Sequence, residues 1–158
     1  MESYEKILVT IRPEISFRVG GIRVYQPDEL RSMQVGYSVS PSGEPLTGDK
    51  HGDWLKSWVA IGQEEAFGDP IFIDASEDAF PVYTAMHGEG PWIPKRIAVS
   101  LEAFGSALSA VAIIAKGREN PVTLENNPLT SSEKEVALAL IRNTNPGIEL
   151  DFWDVLLS

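Results

Sequence analysis

The β-type runs of this chain come before its long helical ones, and that order constrains the fold more than any other feature of the sequence. Ile15, Phe17 and Val19 alternate with Ser16 and Arg18, and after Gly20-Gly21 the alternation resumes through Ile22, Arg23 and Val24. A period of two interrupted by glycines predicts a hairpin. Pro27-Asp28-Glu29-Leu30 carries the proline and acids of a helix start, with room before Gly36 for one or two turns. Val35 to Val39 reads as the next strand. From Ser40 to Asp53 the run SPSGEPLTGDKHGD is polar and turn-forming, so residues 40–53 are expected to be a mobile surface loop. Three short strands of an antiparallel meander are predicted at Trp58–Ile61, Pro70–Ile73 and Phe80–Tyr83, and another at Ile97–Val99.

Only then does helical spacing take over. Ser100 can cap a helix running to Gly117, with Leu101, Phe104, Leu108, Val111 and Ala115 on one apolar stripe that should cover a sheet face. Thr130-Ser131-Ser132-Glu133 is a capping-box pattern ahead of VALALI, stopped by Asn145-Pro146-Gly147, and DFWDVLL should form a terminal helical turn. Strands first and helices later indicate an α+β fold rather than a parallel βαβ array. With 158 residues, the natural expectation is one domain over residues 1–158. Four Trp, six Phe and four Tyr are enough to build its core without a metal or disulfide.

Charge narrows the partners. Lys plus Arg number 13 against 23 Asp plus Glu, a net charge of −10. Nucleic-acid binding needs a basic stripe, and Lys95-Arg96 and Lys116 with Arg118 are isolated pairs. Acidity of this size serves solubility or a basic protein partner. The absence of cysteine removes disulfides, thiolate metal sites and cysteine nucleophiles, and fits a reducing compartment such as the cytoplasm. The first residues lack the pattern of a secretory signal, and no run is long enough to span a membrane.

Candidate chemistry collects between Glu64 and Trp92. Gly88-Glu89-Gly90-Pro91 places an acid and a proline where a phosphate loop needs Lys-Ser/Thr, and no G-x-S-x-G marks an activated serine. Asp49, His51 and Asp53 could begin a metal site, but short spacing in a polar loop equally describes solvated turn residues. Six acids and no base lie between Glu64 and Asp78. Asp69 and Asp74, beside glycine or β-type runs, are assigned to fixing turn backbone, against acid–base work by a carboxylate pair. Glu64, Glu65, Glu77 and Asp78 remain as exposed charge able to meet a basic partner. His87 is expected to satisfy turn carbonyls rather than to transfer protons. Trp54, Trp58, Trp92 and Trp153 are packing residues by default, with Trp92 the one placed to anchor a partner. No catalytic, cofactor-binding or metal-binding residue is assigned.

The succession WVAIG, GDPIFID, PVYTAMHGEGPW and IAVSLEAFGSAL resembles the SUKH superfamily, specifically its Smi/Knr type, related to the yeast cell-wall-assembly regulators. The matching features are Trp58, Ile61-Gly62, Gly68-Asp69-Pro70, Asp74, Pro81-Val82-Tyr83, His87-Gly88, Trp92, and Ser100-Leu101 with Phe104. They cover about residues 20–108. Arg12-Pro13 and Val19-Gly20-Gly21 depart from the Leu-Pro and Asn-Gly-Gly that open the family's N-terminal helices, and local alternation there favours the hairpin. The resemblance implies a central, largely antiparallel sheet with the long helix packed on one face, and a role in protein recognition. Trp58, Gly68, Asp69, Pro70, Asp74, Tyr83, His87 and Gly88 would then be structural. Bacterial members act as immunity proteins that neutralise toxin domains, many of them nucleases with basic clefts. The yeast relatives work instead as regulators or scaffolds through protein contacts.

Overall fold

The structure, a computed structural model, describes residues 2–158. Its centre is a six-stranded sheet in the order β1 (Glu14–Phe17), β2 (Gly20–Val24), β3 (Trp58–Glu64), β4 (Pro70–Asp74), β5 (Val82–Thr84) and β6 (Lys95–Ala98), with every neighbouring pair antiparallel. The fold is α+β, and the predicted hairpin, meander and fourth run all belong to this one sheet. The long helix α3 (Leu101–Ala115) starts at Ser100, whose hydroxyl accepts from Ala103 N–H. Leu101, Phe104, Leu108, Val111 and Ala115 of its stripe are all buried. α3 packs on the sheet and carries α5 (Ser131–Thr144) on its other side. The Thr130/Glu133 capping box opens α5 as the sequence predicts, and α6 (Asp151–Leu156) is the terminal helix.

The second face of the sheet departs from expectation. Val35–Val39 is not a strand but a set of turns that follows the single-turn helix α2 (Leu30–Met33). Gly36 sits at φ 93°, and Tyr37 and Ser38 N–H both donate back to Gln34 O. The edge such a strand would have used is taken by the Gln34 side chain, which donates to Ala60 O and accepts from Ala60 N–H, each at 2.9 Å. That amide sits where β3 bulges between Ala60 and Gly62. Residues 40–53 are the polar loop expected, closed by its own turns. The loop leads into Trp54, which is buried against Tyr37, Phe72 and Trp92 with ring centroids 4.9, 4.8 and 5.4 Å away. This aromatic layer covers the face that Phe72 presents. By strand alternation Ile71 and Ile73 point the other way, toward α3.

Two short helices complete the chain. α1 (Ser3–Leu8) precedes the hairpin, so the N-terminus holds both a helix and the hairpin that local alternation favours. Gly105 lets Ile11 lie on α3, since a Cβ there would stand 3.2 Å from Ile11 Cγ1. α4 (Pro121–Asn126), with proline at its start and Asn120 as its cap, was not foreseen from the sequence.

Candidate functional site

Three connections meet at one end of the sheet, the β1–β2 turn, the β3–β4 turn and the β5–β6 segment that leads into Lys95, with α6 alongside. Between them lies a half-open groove of about 690 Å³. The β1–β2 turn reaches it because Arg18 takes φ 58° and its N–H donates to Arg118 O. Gly20 is required at this point. A Cβ there would come within 2.9 Å of Ala66, so only glycine lets the two turns touch.

The β3–β4 turn is built around Glu64. Its carboxylate accepts from Ala66 N–H at 2.7 Å and Phe67 N–H at 2.8 Å, while its backbone bonds Asp69 O and Gly68 N–H. Glu64 is therefore 8% exposed, which corrects its assignment as free surface charge: local amides hold the carboxylate inward. With its N–H drawn in, Phe67 turns its ring out and is 70% exposed. Asp69 ties the next turn to this one, its Oδ1 accepting from His87 N–H at 3.0 Å and lying 2.8 Å from His87 Nδ1. The pair ties the β3–β4 turn to the segment after β5, and the His87 ring meets a carboxylate where sequence context suggests turn carbonyls. The same bonds leave Met86 exposed beside Phe67.

Across the groove, Lys95 pairs with Asp151, and α6 contributes Phe152, Val155 and Leu156. Val19 is 76% exposed, Met86 63% and Val155 62%, so four large apolar side chains stand in solvent around one depression. Thr84 brings the only hydroxyl among the lining residues, and it donates to Pro70 O. A second groove of similar size shares Phe17, Arg18 and Val19 and continues the apolar surface past Leu124 and Leu129.

The remaining candidate residues lie elsewhere. Glu77 and Asp78 sit in the β4–β5 connection, at the opposite end of the five-residue β4 from Glu64 and Glu65, roughly 17 Å away at strand rise. The acids are two separated groups, not one patch. Glu77 accepts from Tyr83 O–H at 2.7 Å, and burial together with this bond pushes the Tyr83 phenol up to about 12. Burial would raise the Asp74 carboxyl, but hydrogen bonds from Ser76, Ser57 and Trp58 outweigh it and hold the carboxyl below its ordinary value. Trp58 and Pro70 are buried, and Gly68 and Gly88 take φ 78° in their turns. Trp92 is half-buried in the aromatic layer, its N–H donating to Gly52 O, so it latches the loop rather than lining the groove. Asp53 accepts from Lys50 N–H, and among the described residues no three histidine or carboxylate groups converge. No helix among them is long and apolar enough to cross a membrane.

Phe67, Met86 and Val155 are the residues sequence reasoning passed over, each a single apolar residue among turn formers or on a short helix, with no periodicity to draw attention. Val19 is a correction: the alternation from Ile15 places it in the first strand of the hairpin with the turn at Gly20-Gly21, but β1 ends at Phe17 and β2 begins at Gly20, so the turn falls at Arg18-Val19 and Val19 stands in solvent. No family model matches the chain, and no curated protein or solved structure proves similar to it.

Proposed function

We propose that this chain is a protein-binding domain that docks its partner across the apolar end of the sheet, and that it serves as a bacterial immunity protein neutralising a toxin domain. The observation that carries the binding role is the exposure of Val19, Phe67, Met86 and Val155 around one groove. Single exposed apolar side chains are ordinary, whereas a contiguous set around a depression is typical of a contact surface. Most polar groups there are engaged in holding the turns together, which favours binding over catalysis: Glu64 accepts from two amides, Asp69 pairs with His87, Lys95 with Asp151, and Thr84 donates to a carbonyl. Chemistry at this place would need a nucleophile within reach of a base.

The toxin setting rests on the likeness to the SUKH superfamily and on the net charge of −10, which would speed encounter with a basic nuclease. Glu65, exposed beside the groove, is the carboxylate placed to steer. Charge reversal at Glu64 would instead dismantle its turn. The chain would then act in the cytoplasm of the cell that makes it, without a nucleic-acid or membrane partner of its own. A Smi/Knr-like regulator or scaffold is the alternative, using the same surface for an unrelated protein.

Co-expression with the toxin domain encoded beside its gene tests both parts. The parent chain is expected to restore growth, and a Phe67→Asp, Met86→Asp double variant with an unchanged urea midpoint is expected to fail. Equal rescue by the variant would place the contact surface elsewhere. No rescue by the parent would remove the immunity role.

A further inference from the structure

The sheet has two edges, and the fold treats them differently. Along β6, Val99 N–H is taken by Asn145 Oδ1 at 2.9 Å and Ile97 O by Trp153 Nε1 at 2.9 Å, so buried side chains of the α5 C-terminus and α6 close that edge. Along β1 nothing equivalent occurs. Val24 N–H donates to Pro13 O, which makes 13 and 24 a bonded pair, and the antiparallel register then makes 15/22 and 17/20 bonded pairs too. On β2, Glu65 N–H donating to Gly21 O shows the complementary residues bonding to β3. The N–H and C=O of Glu14 and Ser16 consequently point away from the sheet. The next outward amide, Arg18, bonds Arg118 O, but those of Glu14 and Ser16 have no partner among the described residues.

These groups face a groove of about 880 Å³ whose other wall is the exposed side of α3, with Ser109, Ala112, Ile113 and Lys116. Ile113 is 73% exposed, an apolar side chain on the helix at the level of the open edge. Glu14 lies opposite Arg23 on β2, but Arg23 pairs with Glu29, leaving the Glu14 carboxylate without an ion pair among the described residues.

We infer that the β1 edge is a second protein-binding site, which takes an extended segment of a partner protein as a seventh strand, antiparallel to β1 and lying between it and α3. Main-chain bonds to Glu14 and Ser16 would supply the affinity common to strand addition. Side-chain positions supply selectivity. The residue opposite Ile15 faces α3 and is apolar, meeting Ile113, and the residue opposite Glu14 faces away from α3 and is Lys or Arg. A second copy of this chain fits less well. Its Ser16 would stand opposite Glu14, leaving that carboxylate unpaired, and two chains of net charge −10 would be brought together. The site is separate from the apolar groove of the proposed function and does not depend on it.

The test is selection of ten-residue peptides, displayed with apolar residues at alternate positions and random ones between, against the whole chain. Enriched peptides are expected to carry Lys or Arg at an intervening position and to shift the NMR amide signals of Glu14 and Ser16. N-methylation of the peptide amides that bond β1 should weaken binding at least tenfold, and so should Ile113→Asp, a solvent-side change on α3. Three outcomes overturn the inference: no enrichment, peptides that instead shift Phe67 and Met86, or binding indifferent to N-methylation. Sedimentation showing a dimer that Ile113→Asp returns to monomer would assign the edge to a second copy and overturn it as well.

Discussion

Asn145 offers a quantitative check on how the sheet is closed at β6. The residue is fully buried at the end of α5, where Oδ1 accepts from Val99 N–H at 2.9 Å and Nδ2 donates to Ile141 O at 3.1 Å, with Ala103 O at 3.5 Å. Ile141 O also accepts from Asn145 N–H, so Asn145→Ala leaves it a partner. Val99 N–H would have none. An orphaned buried donor costs about 1–3 kcal/mol, and the void left by the carboxamide adds about 1 kcal/mol. Asn145→Ala should therefore destabilise by about 2–4 kcal/mol. Asn145→Asp keeps the acceptor for Val99 but buries a carboxylate with no cation beside it, so its folded-state pKa should lie above the unfolded value of about 3.9. Between those two values the native state binds more protons, and its stability falls as pH rises. Urea unfolding followed by tryptophan fluorescence at pH 7 and pH 4, each variant against the parent at the same pH, measures both effects. The alanine deficit should be alike at the two values, and the aspartate deficit should shrink by at least about 2 kcal/mol at pH 4. An alanine variant within about 0.5 kcal/mol of the parent, or an aspartate variant indifferent to pH, would refute the closure of this edge by Asn145.

Two further expectations follow from the packing. Phe104 is fully buried between the sheet and Trp153, so Phe104→Ala should cost about 3–5 kcal/mol in the same urea assay; a near-neutral result would mean α3 lies elsewhere. The Tyr25 phenol is pushed up to about 12 by burial first and then by Tyr37 and the nearby carboxylates, and Tyr83 likewise by burial and Glu77. The stability these neutral phenols confer is present below about pH 10 and lost as pH rises through about 12. Phenolate absorbance of the still-folded chain should show both groups titrating late, and titration of all four tyrosines near pH 10 would contradict their placement.

Elements whose cause is local can be read from the chain alone. Alternation at Ile15–Val24, the apolar stripe from Leu101 and the Thr130/Glu133 box each set a period or a cap, and strands preceding helices set the fold class. The sequence also assigned Asp74 to its turn, since a short carboxylate bonds an amide a few residues away, here Ser76 N–H, whereas the carboxylate of Asp69 bonds His87 from the next connection, a partner that sequence context does not supply. Tertiary structure decided what depends on distant neighbours. Val35–Val39 has strand composition, yet Gln34 fills the strand edge it would have used, through contacts to Ala60 that no local pattern encodes. Glu64 and Glu65 look alike in sequence, but one carboxylate is folded inward by Ala66 and Phe67 amides and the other stays in water. The apolar groove was invisible for the same reason. Val19, Phe67, Met86 and Val155 are far apart along the chain and individually unremarkable, and only the antiparallel register that brings three turns and α6 to one end of the sheet makes them a surface. A period or a cap acts over a few residues of chain, whereas a binding surface is a sum over neighbours in space, which the register of the sheet alone supplies.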